Sequence, residues 1–106
     1  MFKTDILATE HGFEIEQETL AQKILARRTF IFAMEVSEQL ELAELEAHEY
    51  AYALVELFKS TQDDDIVIEQ VLTDLRRYGI IEHYIVLENK LYEAEQIAQQ
   101  QILLLV

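Results

Sequence analysis

Two pairs of glutamates, Glu35-x-x-Glu38 and Glu46-x-x-Glu49, are the residues whose type and spacing come closest to chemistry. Carboxylates at i and i+3 share a helix face, and a cluster of such hard oxygens suits Mg²⁺ or Mn²⁺. Only seven residues separate Glu38 from Glu46, with no glycine or proline among them. The sequence therefore predicts that both pairs lie along one helix. At about 1.5 Å per residue this spreads them over roughly 20 Å, too far for a single ion cluster. They are read as a solvated acidic face, with a metal site assembled across a dimer as the alternative.

Other chemistries find less support. His11, His48 and His83 are dispersed, and no Glu-x-x-His occurs, so the pattern of a helical di-iron site is missing. Glu44 and His48 are i,i+4 neighbours, which predicts a local surface contact. Serine occurs only at Ser37 and Ser60, in neither case within a nucleophile motif. Arg27-Arg28 and Arg76-Arg77 form two small basic spots; helix-terminal charge pairing accounts for the second.

The element that positions these carboxylates is the thirty-residue stretch Thr29 to Phe58, with seven glutamates and no lysine or arginine. On a helical wheel Glu35, Glu38, Glu46, Glu49 and Glu56 fall in a strip roughly 80° wide. Phe32, Val36, Leu40, Ala43, Ala47, Tyr50, Leu54, Leu57 and Phe58 occupy a neighbouring face. This is an amphipathic pattern whose polar side is nearly all carboxylate. The apolar stripe is read as core, with part of it as an exposed docking face in the sharper reading.

Around that stretch, Thr19-x-x-Gln22 reads as a capping box that starts a helix. Helical periodicity continues from there to about Lys59, and a break is expected between Arg27 and Ser37, where Thr29-Phe30-Ile31-Phe32 favours β structure. Ser60 to Asp65 reads as a loop whose aspartates cap a helix from about Ile66 to Tyr78, closed by Gly79 in a left-handed C-cap. Residues 80–87 predict a short strand, then a helix from Lys90 to about Gln101 capped by Asn89. One helix from 80 onward is the alternative, because Tyr84, Leu87, Leu91, Ala94 and Ala98 keep a 3-4 spacing. Phe13-Glu14-Ile15-Glu16 is a second strand signal. The apolar end, Ile102 to Val106, is expected to be buried, packed in an oligomer, or continued in a longer chain.

Composition bounds the rest. At 106 residues the chain is expected to be one domain, residues 1–106, with a modest core. With no proline and only Gly12 and Gly79, it has too few turn formers for an all-β fold. Without cysteine it has no disulfide or thiolate metal ligand, which fits a reducing compartment. No signal-like opening and no apolar run near ~18 residues is present, so a cytoplasmic protein with no membrane association is expected. The net charge of −13 disfavours direct nucleic-acid or anionic-membrane binding and favours a basic protein partner or a cation.

Two resemblances follow from these segments. His11-Gly12-Phe13-Glu14-Ile15, Val71 to Ile81 and Ile85 to Ala98 resemble the region preceding the motor in RecD-type DNA helicases, the exonuclease V alpha-subunit family. That resemblance implies a winged-helix-like accessory domain in which strand, helices, strand and helix lead into an ATPase motor. It covers about half the chain and has no place for residues 29–60, and no phosphate-cradling loop is present. Ala33 to Glu38 and Glu46 to Tyr50 resemble the two motifs of MazG-type all-α nucleotide pyrophosphohydrolases, which implies Mg²⁺ at a triphosphate held by acidic pairs on facing helices.

The sequence thus predicts a mainly α domain of three to four helices, with a small two-stranded wing as an optional addition. Its function is expected to be that of a non-catalytic interaction module, an accessory domain of a RecD-type helicase. The alternative is a free-standing acidic protein that neutralises a basic or DNA-binding target, as DNA mimics and immunity proteins do. A MazG-like enzyme comes third. No catalytic, cofactor-binding or metal-ligating residue is assigned. Glu35, Glu38, Glu46, Glu49 and Glu56 are the candidate interaction surface, and a homodimer is left open.

Overall fold

A computed structural model describes residues 18–105, which form four α-helices and, among the described residues, no strand. The helices are α1 (Leu20–Gln39), α2 (Glu44–Thr61), α3 (Asp64–Arg77) and α4 (Tyr84–Leu103). The mainly α expectation holds. The wing has no counterpart here, and its first strand signal, Phe13 to Glu16, lies outside the described residues.

Helix α1 begins as the capping box requires. Thr19 Oγ1 accepts from the Gln22 backbone N–H at 3.1 Å, and the Thr19 N–H donates to Gln22 Oε1 at 2.8 Å. The helix then runs unbroken through Thr29 to Phe32, where a break was expected. Its interior satisfies these residues: the Thr29 hydroxyl donates to the Leu25 carbonyl at 2.8 Å, and Phe32 is fully buried. Burial outweighs a β propensity of a few tenths of a kcal/mol.

The break comes at residues 40–43 instead. Leu40 caps α1, Glu41 takes the left-handed conformation at φ 57°, and the chain turns into α2. The Glu41 N–H bonds the Glu38 carbonyl and the Leu42 N–H bonds the Ser37 carbonyl, both at 3.1 Å. These are the two reverse bonds of a Schellman ending, built on a glutamate where glycine is usual. Leu40 is 5% exposed and Leu42 packs on the same core. Apolar burial on both sides of the turn holds a conformation that the residue type at 41 disfavours.

The later boundaries follow their chemistry. Helix α2 carries Glu44 and Glu46 in its first turn and Lys59 in its last, and it ends on Gln62 at φ 54°. Asp63 caps α3 by accepting from the Asp65 N–H at 2.9 Å, so the expected six-residue loop shrinks to Gln62-Asp63. Arg76 and Arg77 occupy the last turn of α3, and Gly79 at φ 78° closes another Schellman ending, with Ile80 N–H on Leu75 O at 2.9 Å. The strand expected at 80–87 is corrected. Only 80–83 are non-helical; α4 starts at Tyr84 with His83, not Asn89, at the N-cap. Leu87, Leu91, Ala94 and Ala98 form one buried stripe from its first turn, and that 3-4 spacing fits a helix and not a strand.

Helix α1 is the central element, packed along α2 on one side and α4 on the other, while α3 packs on α2 and α4. The core gathers Phe32, Ala33 and Val36 of α1, Leu54 and Phe58 of α2, Ile68, Val71 and Leu75 of α3, and Leu87 and Leu91 of α4. At the end of α4, Leu103, Leu104 and Leu105 are exposed, so burial against this chain, one of the three expectations for the apolar end, does not hold for these residues. Among the described residues no helix is long and apolar enough to cross a membrane.

Candidate interaction surface

Arg28 is where the four helices are tied together, a role that its place in a two-arginine basic spot does not reveal. Its side chain is 4% exposed. The guanidinium donates to both carboxylate oxygens of Asp64 at the start of α3, at 2.8 and 3.2 Å, and to Glu95 of α4 at 3.4 Å. It also lies 4.9 Å from the ring centroid of Phe58 on α2. Arginine suits this place because its planar fork meets a carboxylate with two parallel bonds while its flat face stacks on a ring. The surface loses one of the chain's eight basic residues in the process.

The five glutamates singled out by the sequence, Glu35, Glu38, Glu46, Glu49 and Glu56, are all exposed. The turn at 40–43 divides them: Glu35 and Glu38 lie on α1, and Glu46, Glu49 and Glu56 on α2. A single helix carrying both pairs is therefore corrected to two helices joined by a tight turn. Glu46 and Glu49 line a groove of about 430 Å³ with Leu40, Leu42, Tyr50, Asp74, Arg77 and Tyr78. Among the described residues no group of three or more His, Cys, Asp or Glu side chains is arranged to hold a metal ion.

At the groove wall the Tyr50 hydroxyl donates to Asp74 Oδ2 at 2.8 Å, and Gln70 Nε2 donates to Asp74 Oδ1 at 2.9 Å. Burial, then the bond and charge of Asp74, push the Tyr50 pKa well above that of an ordinary phenol. Arg77 stands 3.9 Å from Asp74, a local pairing at the end of α3. Tyr84, first residue of α4, donates to Asp65 in the first turn of α3. That bond is the main cause that pushes its pKa up to about 12.

None of the seven glutamates between Thr29 and Phe58 is paired with lysine or arginine among the described residues; the ion pairs there involve Glu18, Asp64, Asp74 and Glu95. The acidic surface is thus uncompensated within the described structure. Beside it, on the adjoining face, three rings meet across α1 and α2. Phe30 lies 6.0 Å from His48 and 5.6 Å from Tyr52, with His48 and Tyr52 6.5 Å apart. His48 Nδ1 is 2.9 Å from the Glu44 carbonyl, so the expected Glu44–His48 contact is made through the backbone and not the carboxylate. No periodicity argument links residue 30 to residues 48 and 52; only the pairing of two antiparallel helices brings them together.

Comparison with known proteins bears on the family. Neither the curated proteins nor the solved structures contain a match. A family model described as ATPase inhibitor subunit zeta matches residues 2–101, continuous through the acidic stretch. This overturns the resemblance to the pre-motor region of RecD-type helicases. That pattern had no place for residues 29–60, and its closing strand, Ile85 to Leu87, lies inside α4. The chain belongs to the ATPase inhibitor subunit zeta family.

Proposed function

We propose that this chain is a non-catalytic regulatory protein that binds an ATPase and lowers its rate of turnover. The observation that carries this reading is the family match over residues 2–101. The docking surface in this reading is the acidic band of Glu35, Glu38, Glu46, Glu49 and Glu56, and the partner surface is basic. Support comes from the net charge of −13, from the exposure of all five side chains, and from their lack of pairing with lysine or arginine among the described residues. Such a surface raises the encounter rate with a basic patch and repels nucleic acid. The neutralisation of a basic target inferred from composition is retained here, with an ATPase as the target.

The test is ATP hydrolysis by the ATPase of the same cell, freed of this chain and then titrated with it. Phosphate release is expected to fall to a plateau as the chain saturates. An unchanged rate with the chain in molar excess, together with no detectable binding, would overturn the reading.

A further inference from the structure

The ring cluster on the α1–α2 face is seated on half-buried Phe30 and His48 and is open at Tyr52. Tyr52 is 61% exposed, and Leu45, two turns earlier on α2, is 71% exposed. The three rings of Phe30, His48 and Tyr52 lie within 6.5 Å of one another, so their geometry is fixed before any partner arrives. The Arg27 guanidinium already rests 5.6 Å from the Phe30 centroid, with its Nε donating to Gln101 Oε1 at 2.8 Å. The face of this cluster accepts a cation, and the resident one covers only the Phe30 end.

Charge then says what covers the remainder. Glu44, His48, Tyr52 and Glu56 are successive i,i+4 neighbours on α2, so a carboxylate stands one turn beyond the rings at each end. Both glutamates are exposed, and neither is paired with lysine or arginine among the described residues. A carbonyl oxygen only accepts, so His48 Nδ1 donates to the Glu44 carbonyl, a bond that orients the ring on α2. Apolar faces in the middle and carboxylates at the rim make a receptor for ammonium or guanidinium groups on an apolar support.

We infer that the Phe30–His48–Tyr52 cluster is the anchor of the ATPase interface, taking up lysine or arginine side chains of a basic segment of that partner. The inference rests on the proposed docking to an ATPase and adds the residues that hold it. Exposed aromatic residues at the centre of an interface carry a disproportionate share of affinity, and a rim of charges mainly sets the encounter rate.

The experiment compares Tyr52→Ala, Tyr52→Phe and Tyr92→Ala with the wild-type chain, using biolayer interferometry on the immobilised ATPase and sedimentation velocity of the chain alone. Tyr92 is a comparably exposed tyrosine on α4 and serves as the control. Tyr52→Ala is expected to raise Kd by about tenfold or more, as for an aromatic hot spot. Tyr52→Phe should keep most of the affinity, and Tyr92→Ala should be unchanged. Circular dichroism confirms that each variant is folded, and Leu45→Ala provides a second probe of the same face. Wild-type affinity in both Tyr52→Ala and Leu45→Ala overturns this inference and leaves the ATPase reading standing. Loss of self-association without loss of ATPase binding also overturns it, assigning the face to a second copy. A wild-type chain that neither binds nor inhibits removes both.

Discussion

Arg28 of α1 grips Asp64, the first residue of α3, with two parallel hydrogen bonds, Nη2 to Oδ1 at 2.8 Å and Nη1 to Oδ2 at 3.2 Å. The two partners differ in environment: the arginine side chain is 4% exposed, and the aspartate 49%. Asp64 therefore keeps much of its hydration, and the arginine bears most of the burial cost. Its Nε–H also lacks an acceptor among the described residues. Arg28→Ala is expected to destabilise the fold by about 3 kcal/mol, through the lost packing on Phe58 and the lost tie between helices. Arg28→Met should recover most of that loss, because an apolar chain fills the slot without a buried charge or an orphan donor. Urea unfolding at constant m-value measures both. Equal losses for Ala and Met would show that the ion pair itself, and not the packing, carries the stability.

Glu41 supplies an independent test of the turn that divides the acidic surface. Its φ of 57° is a conformation in which an L side chain is strained. Glu41→Gly should remove that strain and raise stability by about 0.5–1 kcal/mol, after the entropy that glycine adds to the unfolded chain is subtracted. The unfolding midpoint in urea should rise with an unchanged m-value. A lower midpoint would mean that the glutamate side chain makes a contribution that outweighs the strain.

The two phenols bonded to carboxylates predict a specific alkaline behaviour. Tyr50 and Tyr84 have pKa values raised above the ordinary value of about 10, Tyr84 to about 12. Raised folded-state values mean that the neutral hydroxyls are favoured in the fold. Their stabilising effect is thus complete below pH of about 10; that of Tyr84 is lost as pH rises through about 12, and that of Tyr50 only at still higher pH. Absorbance at about 295 nm should show part of the tyrosine signal ionising late, with Tyr84→Phe removing one late component. If Tyr84→Phe leaves the alkaline titration curve's shape unchanged, the Asp65 bond does not form in solution.

The acidic band separates binding from folding. Glu35, Glu38, Glu46, Glu49 and Glu56 are exposed and unpaired with lysine or arginine among the described residues, so changing all five to Gln should leave the midpoint of unfolding equal or higher through relieved repulsion. The same variant should associate more slowly with the ATPase at low salt. At about 0.5 M salt, where screening acts within about 4 Å, its association rate should approach that of the wild type. An association rate independent of salt in the wild-type chain would remove the electrostatic account of docking.

Much of the fold was legible because its signals are local. Thr19 with Gln22, Asp63 before α3, and Gly79 after it are caps in which a side chain or a missing Cβ satisfies backbone groups within a few residues, and each is found in place. The misplaced features have no local marker. The turn at 40–43 contains no glycine or proline, and it forms because Leu40 and Leu42 are drawn onto a core contributed by all four helices. The run 80–87 looks extended by residue type, yet its second half enters α4 because Leu87 continues a buried stripe with Leu91, Ala94 and Ala98.

The sequence by itself determined a helical, strongly acidic protein whose carboxylates face solvent, since composition and 3.6-residue periodicity act through each residue's own hydration and nearest turns. Tertiary structure alone decided three things: that the acidic strip is split over two helices, that Arg28 leaves the surface to join Asp64, Glu95 and Phe58, and that Phe30 meets His48 and Tyr52. Each depends on contacts between residues far apart in the chain. Such contacts are fixed by which apolar faces bury one another, and no short window of sequence contains that information.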